Sequence, residues 1–101
     1  MNDQPTKMQE IFMKRLALVS DLSQLNAEQL LNSQKLSGNQ IDLQRCQNQL
    51  EELGLSDELR AELAEAEARN ERLQAEITAC NEKMQTLEDE VAALDRELED
   101  I

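Results

Sequence analysis

From Leu59 to Ile101 the chain repeats apolar residues at alternating steps of four and three, through Leu63, Ala66, Leu73, Ile77, Cys80, Met84, Leu87, Val91, Leu94 and Leu98. Only Asn70 interrupts the series. A step averaging 3.5 residues, sustained over this length, lays one stripe along an α-helix and requires another helix to cover it. Taking three residues from a to d puts Leu63, Asn70, Ile77, Met84, Val91 and Leu98 at a. Leu59, Ala66, Leu73, Cys80, Leu87, Leu94 and Ile101 then fall at d. The first half carries the same alternation less cleanly, through Met8, Ile11, Arg15, Leu18, Leu22, Leu25, Gln29, Asn32, Leu36, Asn39, Leu43, Cys46, Leu50 and Leu53. Arg15, Gln29, Asn32 and Asn39 are polar, so this is the weaker of two helices.

Composition closes off other folds. One Phe, no Trp, no Tyr, two Gly and one Pro leave little from which to build strands, tight loops or an aromatic core. The expected class is all-α, a long antiparallel helical hairpin that self-associates or pairs with other helices. Residues 1–5 read as a disordered tail, 6–53 as the first helix, 54–55 as a turn and 56–101 as the second helix. At about 1.5 Å per residue each helix would be roughly 70 Å long.

Local signals agree with these limits. Thr6 and Gln9 form a T-x-x-Q capping box after Pro5. Gly54 suits the left-handed residue past a helix end, Leu55 can cover the last turn, and Ser56 is a good N-cap ahead of Asp57 and Glu58. A competing pattern exists inside the first helix, where Asn26 to Gln29 is a second capping box and Gly38 a possible stop. If those prevail, the first half is two or three short helices.

A two-residue turn centred between Gly54 and Leu55 demands that layered residues sum to 109. The two registers meet that demand: Leu50 layers with Leu59, Cys46 with Leu63, Leu36 with Leu73, Leu22 with Leu87 and Ile11 with Leu98. Asn39 falls opposite Asn70, a pair expected to satisfy itself and fix the register. At the flanking g positions Lys14 faces Glu97, Glu28 faces Lys83, Lys35 faces Glu76 and Asp42 faces Arg69, all opposite in sign, with Asp21 and Glu90 the one repulsive pair. Sliding by one heptad makes the four pairs from Asp21 to Asp42 repulsive. The alternative is a parallel coiled-coil homodimer with a kink at Gly54, since Asn, Ile and Val at a with Leu at d suit parallel dimers. It must absorb a six-residue step from Leu53 to Leu59 and brings Glu62 to Glu67 and Glu90 to Asp95.

Function classes narrow by chemistry. The net charge is -12, and the imbalance sits in residues 54–101, which hold 5 basic and 15 acidic side chains against 5 and 7 in residues 1–53. No basic cluster or stacking aromatic row is present for nucleic acid, and anionic membranes are disfavoured for the same reason. No apolar run approaches the roughly 20 residues of a membrane span, and "MNDQPTKMQE" is not a secretory leader. A cytoplasmic or nuclear location follows. With no His, and with Cys46 and Cys80 far apart on the stripe, no metal, cofactor, catalytic group or small-molecule substrate is expected. The cysteines read as small buried hydrophobes in a reducing compartment.

What remains is a surplus of apolar residues off the seam. Phe12, Met13, Leu16 and Val19, extended by Leu30, Leu31 and Ile41, cannot all be covered by one partner helix. They form an expected binding face for a second copy or for another helical protein. The expected role is a non-enzymatic coiled-coil interaction module, a structural scaffold or adaptor subunit, the alternative being a small acidic helical chaperone or regulator that holds a partner helix on this face. Heptads that continue to Ile101 also suit a piece of a longer coiled coil.

Overall fold

The computed structural model describes residues 6–54 and 56–101. Among these there are two helices and no strand: α1 spans Lys7–Leu53 and α2 spans Asp57–Glu99. The fold is a helical hairpin.

The ends of the helices follow from their caps. Thr6 Oγ1 accepts the Gln9 amide at 3.2 Å while the Gln9 side chain accepts the Thr6 amide at 2.9 Å, so two donors with no helical partner are satisfied reciprocally. α1 stops at Gly54, whose φ of 80° a side chain would oppose. Its amide donates back to the Leu50 carbonyl at 3.0 Å, the bond of an αL cap. Ser56 opens α2 by accepting the Leu59 amide on Oγ at 3.1 Å. Leu55, read from the sequence as part of the turn, lies outside the described residues, as does the 1–5 tail. α2 ends at Glu99, where the Ile101 amide reaches the Leu98 carbonyl in a tighter turn.

Neither Asn26 nor Gly38 breaks α1, which corrects the reading of several short helices. The seam continues through both, and an interior glycine costs only about 1 kcal/mol relative to alanine, less than the apolar burial that a break would forfeit. Within the chain α2 folds back against α1, with Arg15 bonded to Asp95 and Asn39 to the Ala66 carbonyl.

The chain divides into two compact units, Met1–Glu28 with Cys80–Ile101, and Gln29–Ala79. In the first, Ile11 and Cys80 are buried, and Leu18, Leu22, Leu25, Met84, Leu87, Val91, Leu94 and Leu98 are half-buried. These are the seam positions. Arg15, also on the seam, donates from Nε to Asp95 Oδ1 at 2.8 Å, and Cys80 Sγ donates to the Leu25 carbonyl at 3.5 Å.

In the second unit Asn39, Cys46, Ala66 and Leu73 are buried, flanked by half-buried Leu36, Leu43, Leu50, Leu59, Leu63 and Ile77. Gln29 Nε2 donates to the Ile77 carbonyl at 3.0 Å, and Asn39 Nδ2 to the Ala66 carbonyl at 2.7 Å. A helical carbonyl points toward the residue four ahead, so the second of these bonds sets Asn39 at the level of Asn70. That is the layering that sums to 109. A carbonyl oxygen has a second lone pair beyond its helical bond, which lets polar seam residues on α1 be satisfied by the backbone of α2.

Candidate interaction surface

Each turn of α1 must assign its side chains to one of three directions: toward the α2 seam, onto the flanks, or outward. Heptad position decides which. With Arg15, Leu22, Gln29 and Leu36 at a and Ile11, Leu18, Leu25 and Asn39 at d, the off-seam apolar residues fall at e, b, c and f.

In the first unit Phe12 and Val19 occupy e, Leu16 occupies b and Met13 occupies f. Phe12, Leu16 and Val19 therefore stand at i, i+4 and i+7, one side of one helix. All four are exposed, from 37% at Val19 to 72% at Leu16. In the second unit Leu30, Leu31 and Ile41 are exposed as well, Ile41 at 70%. Among the described residues, α2 leaves no large apolar side chain exposed; Ile101 follows its last turn. The surplus belongs to α1 alone.

The opposite flank, at g, is charged and contributed by both helices. Asp21, Glu28 and Lys83 line one cleft of the first unit beside Leu25 and Leu87. Lys35, Asp42, Arg69 and Glu76 line one cleft of the second, with Asn39 at its floor. Glu28 and Lys83, Lys35 and Glu76, and Asp42 and Arg69, which the register sets opposite one another, thus share clefts but do not close into ion pairs. The pairs within 4.0 Å among the described residues are Arg15 with Asp95, Arg45 with Asp42, and Arg69 with Glu65. Two of these are neighbours three or four apart on one helix. For exposed chains, such local partners compete with cross-seam ones, because either pair is worth only about 0.2 to 1 kcal/mol after the cost of immobilising its side chains.

The asparagine pair also resolves differently. Asn39 is buried, but its amide is taken by the Ala66 carbonyl and its Oδ1 by Arg69 Nε at 3.0 Å. Asn70 is half-buried at the same level, with its Oδ1 enclosed and without a hydrogen-bond partner among the described residues. Arg69 displaces Asn70 because a guanidinium N–H is a charge-assisted donor, stronger than a neutral amide. Ala66, nearly fully buried, makes the backbone bond possible by having no side chain beyond Cβ to hold Asn39 away.

Sequence reasoning did not anticipate the Arg15–Asp95 contact. The signal was there: a charged residue at a layers against Leu94 and can escape burial only toward its neighbour at e. Cys46 and Cys80 are free and buried, the Cys46 thiol lying 4.0 Å from Glu62 Oε2. Among the described residues there is no group of three or more side chains able to hold a metal, and no helix long and apolar enough to cross a membrane. In comparisons with protein families, curated proteins and solved structures, nothing matches this chain.

Proposed function

We propose that this chain is a non-enzymatic coiled-coil interaction module, acting in the cytoplasm or nucleus as a scaffold or adaptor subunit of a larger assembly. One observation carries the reading: α1 exposes Phe12, Met13, Leu16, Val19, Leu30, Leu31 and Ile41, whereas α2 exposes no large apolar side chain. Isolated exposed leucines are common, but Phe12, Leu16 and Val19 stand at i, i+4 and i+7 within one unit, and a row at helical spacing is the form in which helices recruit other helices. Chemistry at the surface is not needed for such a role; geometry and apolar area are.

A second reading, a small acidic chaperone or regulator, draws on the net charge of -12 beside the same apolar row. The two differ in what the free chain does. A scaffold subunit melts cooperatively alone and is found at the mass of a complex in its native extract. A chaperone is loosely packed until its client arrives. Thermal melts of the free chain, together with size-exclusion mass of the chain and of its F12S/L16S/V19S variant in extract, separate them. A non-cooperative melt that a client restores would remove the scaffold reading.

A further inference from the structure

In the first unit, the two flanks of the helix pair are built from different residues. The g row of α1 there is Lys7, Lys14, Asp21 and Glu28, charged throughout. The e and b rows there are Gln9, Phe12, Leu16, Val19, Ser23 and Asn26, with no charge at all. A flank facing only water gains nothing from excluding charge over so many turns. A flank that receives another helix does, because a charge buried there would be left unpaired.

The other side of that flank belongs to α2. In an antiparallel pair the e rows lie together, so the register assigns Val19 to the level of Glu88 and Phe12 to that of Asp95, with Ala92 between and Glu99 one turn beyond. The Arg15–Asp95 bond, on this flank, fixes the alignment. That bond also neutralises Asp95. Glu88 and Glu99 join no ion pair among the described residues and are exposed. The groove therefore has an apolar, uncharged wall from α1 and an acidic wall from α2.

We infer that this groove, between the Phe12–Leu16–Val19 row and the Glu88–Glu99 edge, binds one amphipathic helix of another protein. Its apolar stripe lies on α1, and Lys or Arg at the stripe's edge meets α2. This rests on the interaction-module reading and names its partner's chemistry. A second copy of the chain fits the groove less well, since it brings another -12 and the same unpaired glutamates toward these. A basic helix gains at both walls: apolar area on one, complementary charge on the other.

The test uses the full chain and two synthetic 21-residue helical peptides sharing one leucine stripe at i, i+4, i+7 and i+11, one flanked by Lys and one by Glu. Titration calorimetry and light scattering should show a 1:1 complex with the Lys peptide and binding at least tenfold weaker with the Glu peptide. L16S, which alters an exposed residue and should leave the melt unchanged, should weaken the Lys peptide at least tenfold. E88Q/E99Q should weaken it severalfold and flatten its salt dependence, while E90Q/E97Q, the same charge change on the other flank, should leave it within twofold. Equal effects of the two Gln pairs, or no effect of L16S, would mean attraction to net charge alone and overturn the proposal. A free chain that dimerises, loses the dimer with L16S and keeps it against the peptide would overturn this partner while leaving the interaction module standing. A chain that neither self-associates nor binds either peptide would remove both.

Discussion

α1 and α2 follow the same seven-residue step, yet they divide their residues between seam and surface in opposite ways. α2 places its large apolar side chains on the seam and gives its other positions mainly to charged residues, mostly acidic, and to alanine. α1 places Arg15, Gln29, Asn32 and Asn39 on the seam and leaves phenylalanine, methionine and leucine outside it. Helix α2 is therefore complete once α1 covers it. Helix α1 is not, because α2 bonds Arg15, Gln29 and Asn39 of its polar seam through Asp95 and two carbonyls but leaves its outer apolar row exposed. A two-helix seam also encloses little, with Ile11, Cys46, Ala66, Leu73 and Cys80 its buried hydrophobic residues among those described.

The largest test of this contrast sets a buried leucine of α2 beside an exposed leucine of α1. Leu73→Ala removes a buried side chain from a thin core and should destabilise the chain by about 3 kcal/mol in denaturant melts. Leu16→Ala should change stability by no more than about 0.5 kcal/mol, since nothing within the chain covers it. If the two cost the same, Leu16 is covered by a partner in solution, and α1 is no less complete than α2.

A smaller effect is expected at the polar seam. Asn39→Ala removes the donor to the Ala66 carbonyl and the acceptor of Arg69, at a cost of about 2 kcal/mol. Asn39→Leu should recover most of that in stability but relax the register, since a buried polar group selects one alignment at a cost in stability. Cysteine-pair crosslinking across the seam at layers summing to 109 and to 116 reads this directly. A single crosslinked register in Asn39→Leu would show that the turn alone sets the alignment.

The hairpin was legible because the features that set it are local or periodic. The step of four and three located nearly every protected residue of both helices, and the caps at Thr6, Gly54 and Ser56 rest on residue types suited to one backbone geometry. The side-chain partners were less legible. Asn39 had three acceptors or donors within reach, and the winner depended on Ala66 being small and Arg69 being charged, neither of which the repeat encodes. The exposed row of α1 was legible as a surplus, but its two unlike flanks emerged only once the seam was fixed in both helices. The g-row charges show the limit of counting signs: opposite charges share a cleft at Lys35, Asp42, Arg69 and Glu76, while the 4.0 Å pairs of Asp42 and Arg69 form along their own helices.

The two glycines sharpen the comparison of turn and helix. Gly54→Ala puts a side chain on a residue at φ 80° and should cost about 1 kcal/mol. Gly38→Ala adds a methyl group at an exposed helical position with nothing within 4 Å of the new carbon, and should stabilise α1 by about 0.7 kcal/mol. Opposite signs in thermal melts are the expected outcome. A loss at Gly38 would place a partner against that side of α1, beyond what the free chain contains.

The smallest effect concerns the one ion pair that joins the two helices among the described residues. Arg15 and Asp95 have side chains 41% and 47% exposed, so water screens the pair and its contribution should stay near that of surface pairs, about 0.5 kcal/mol. A double-mutant cycle with Arg15→Ala and Asp95→Ala reads the coupling free of each residue's other roles. The same cycle at Lys35 and Glu76, which line one cleft without closing to 4.0 Å, should give about 0.2 kcal/mol or less. Raising the salt to 1 M should reduce both, because the screening length there falls to about 3 Å. Equal couplings would put Arg15 in solvent and leave α1 with an unsatisfied seam position. A larger coupling at Arg15 than at Lys35 means that the polar seam of α1 is satisfied by α2 at this position, and that what α1 still lacks is a cover for its apolar row.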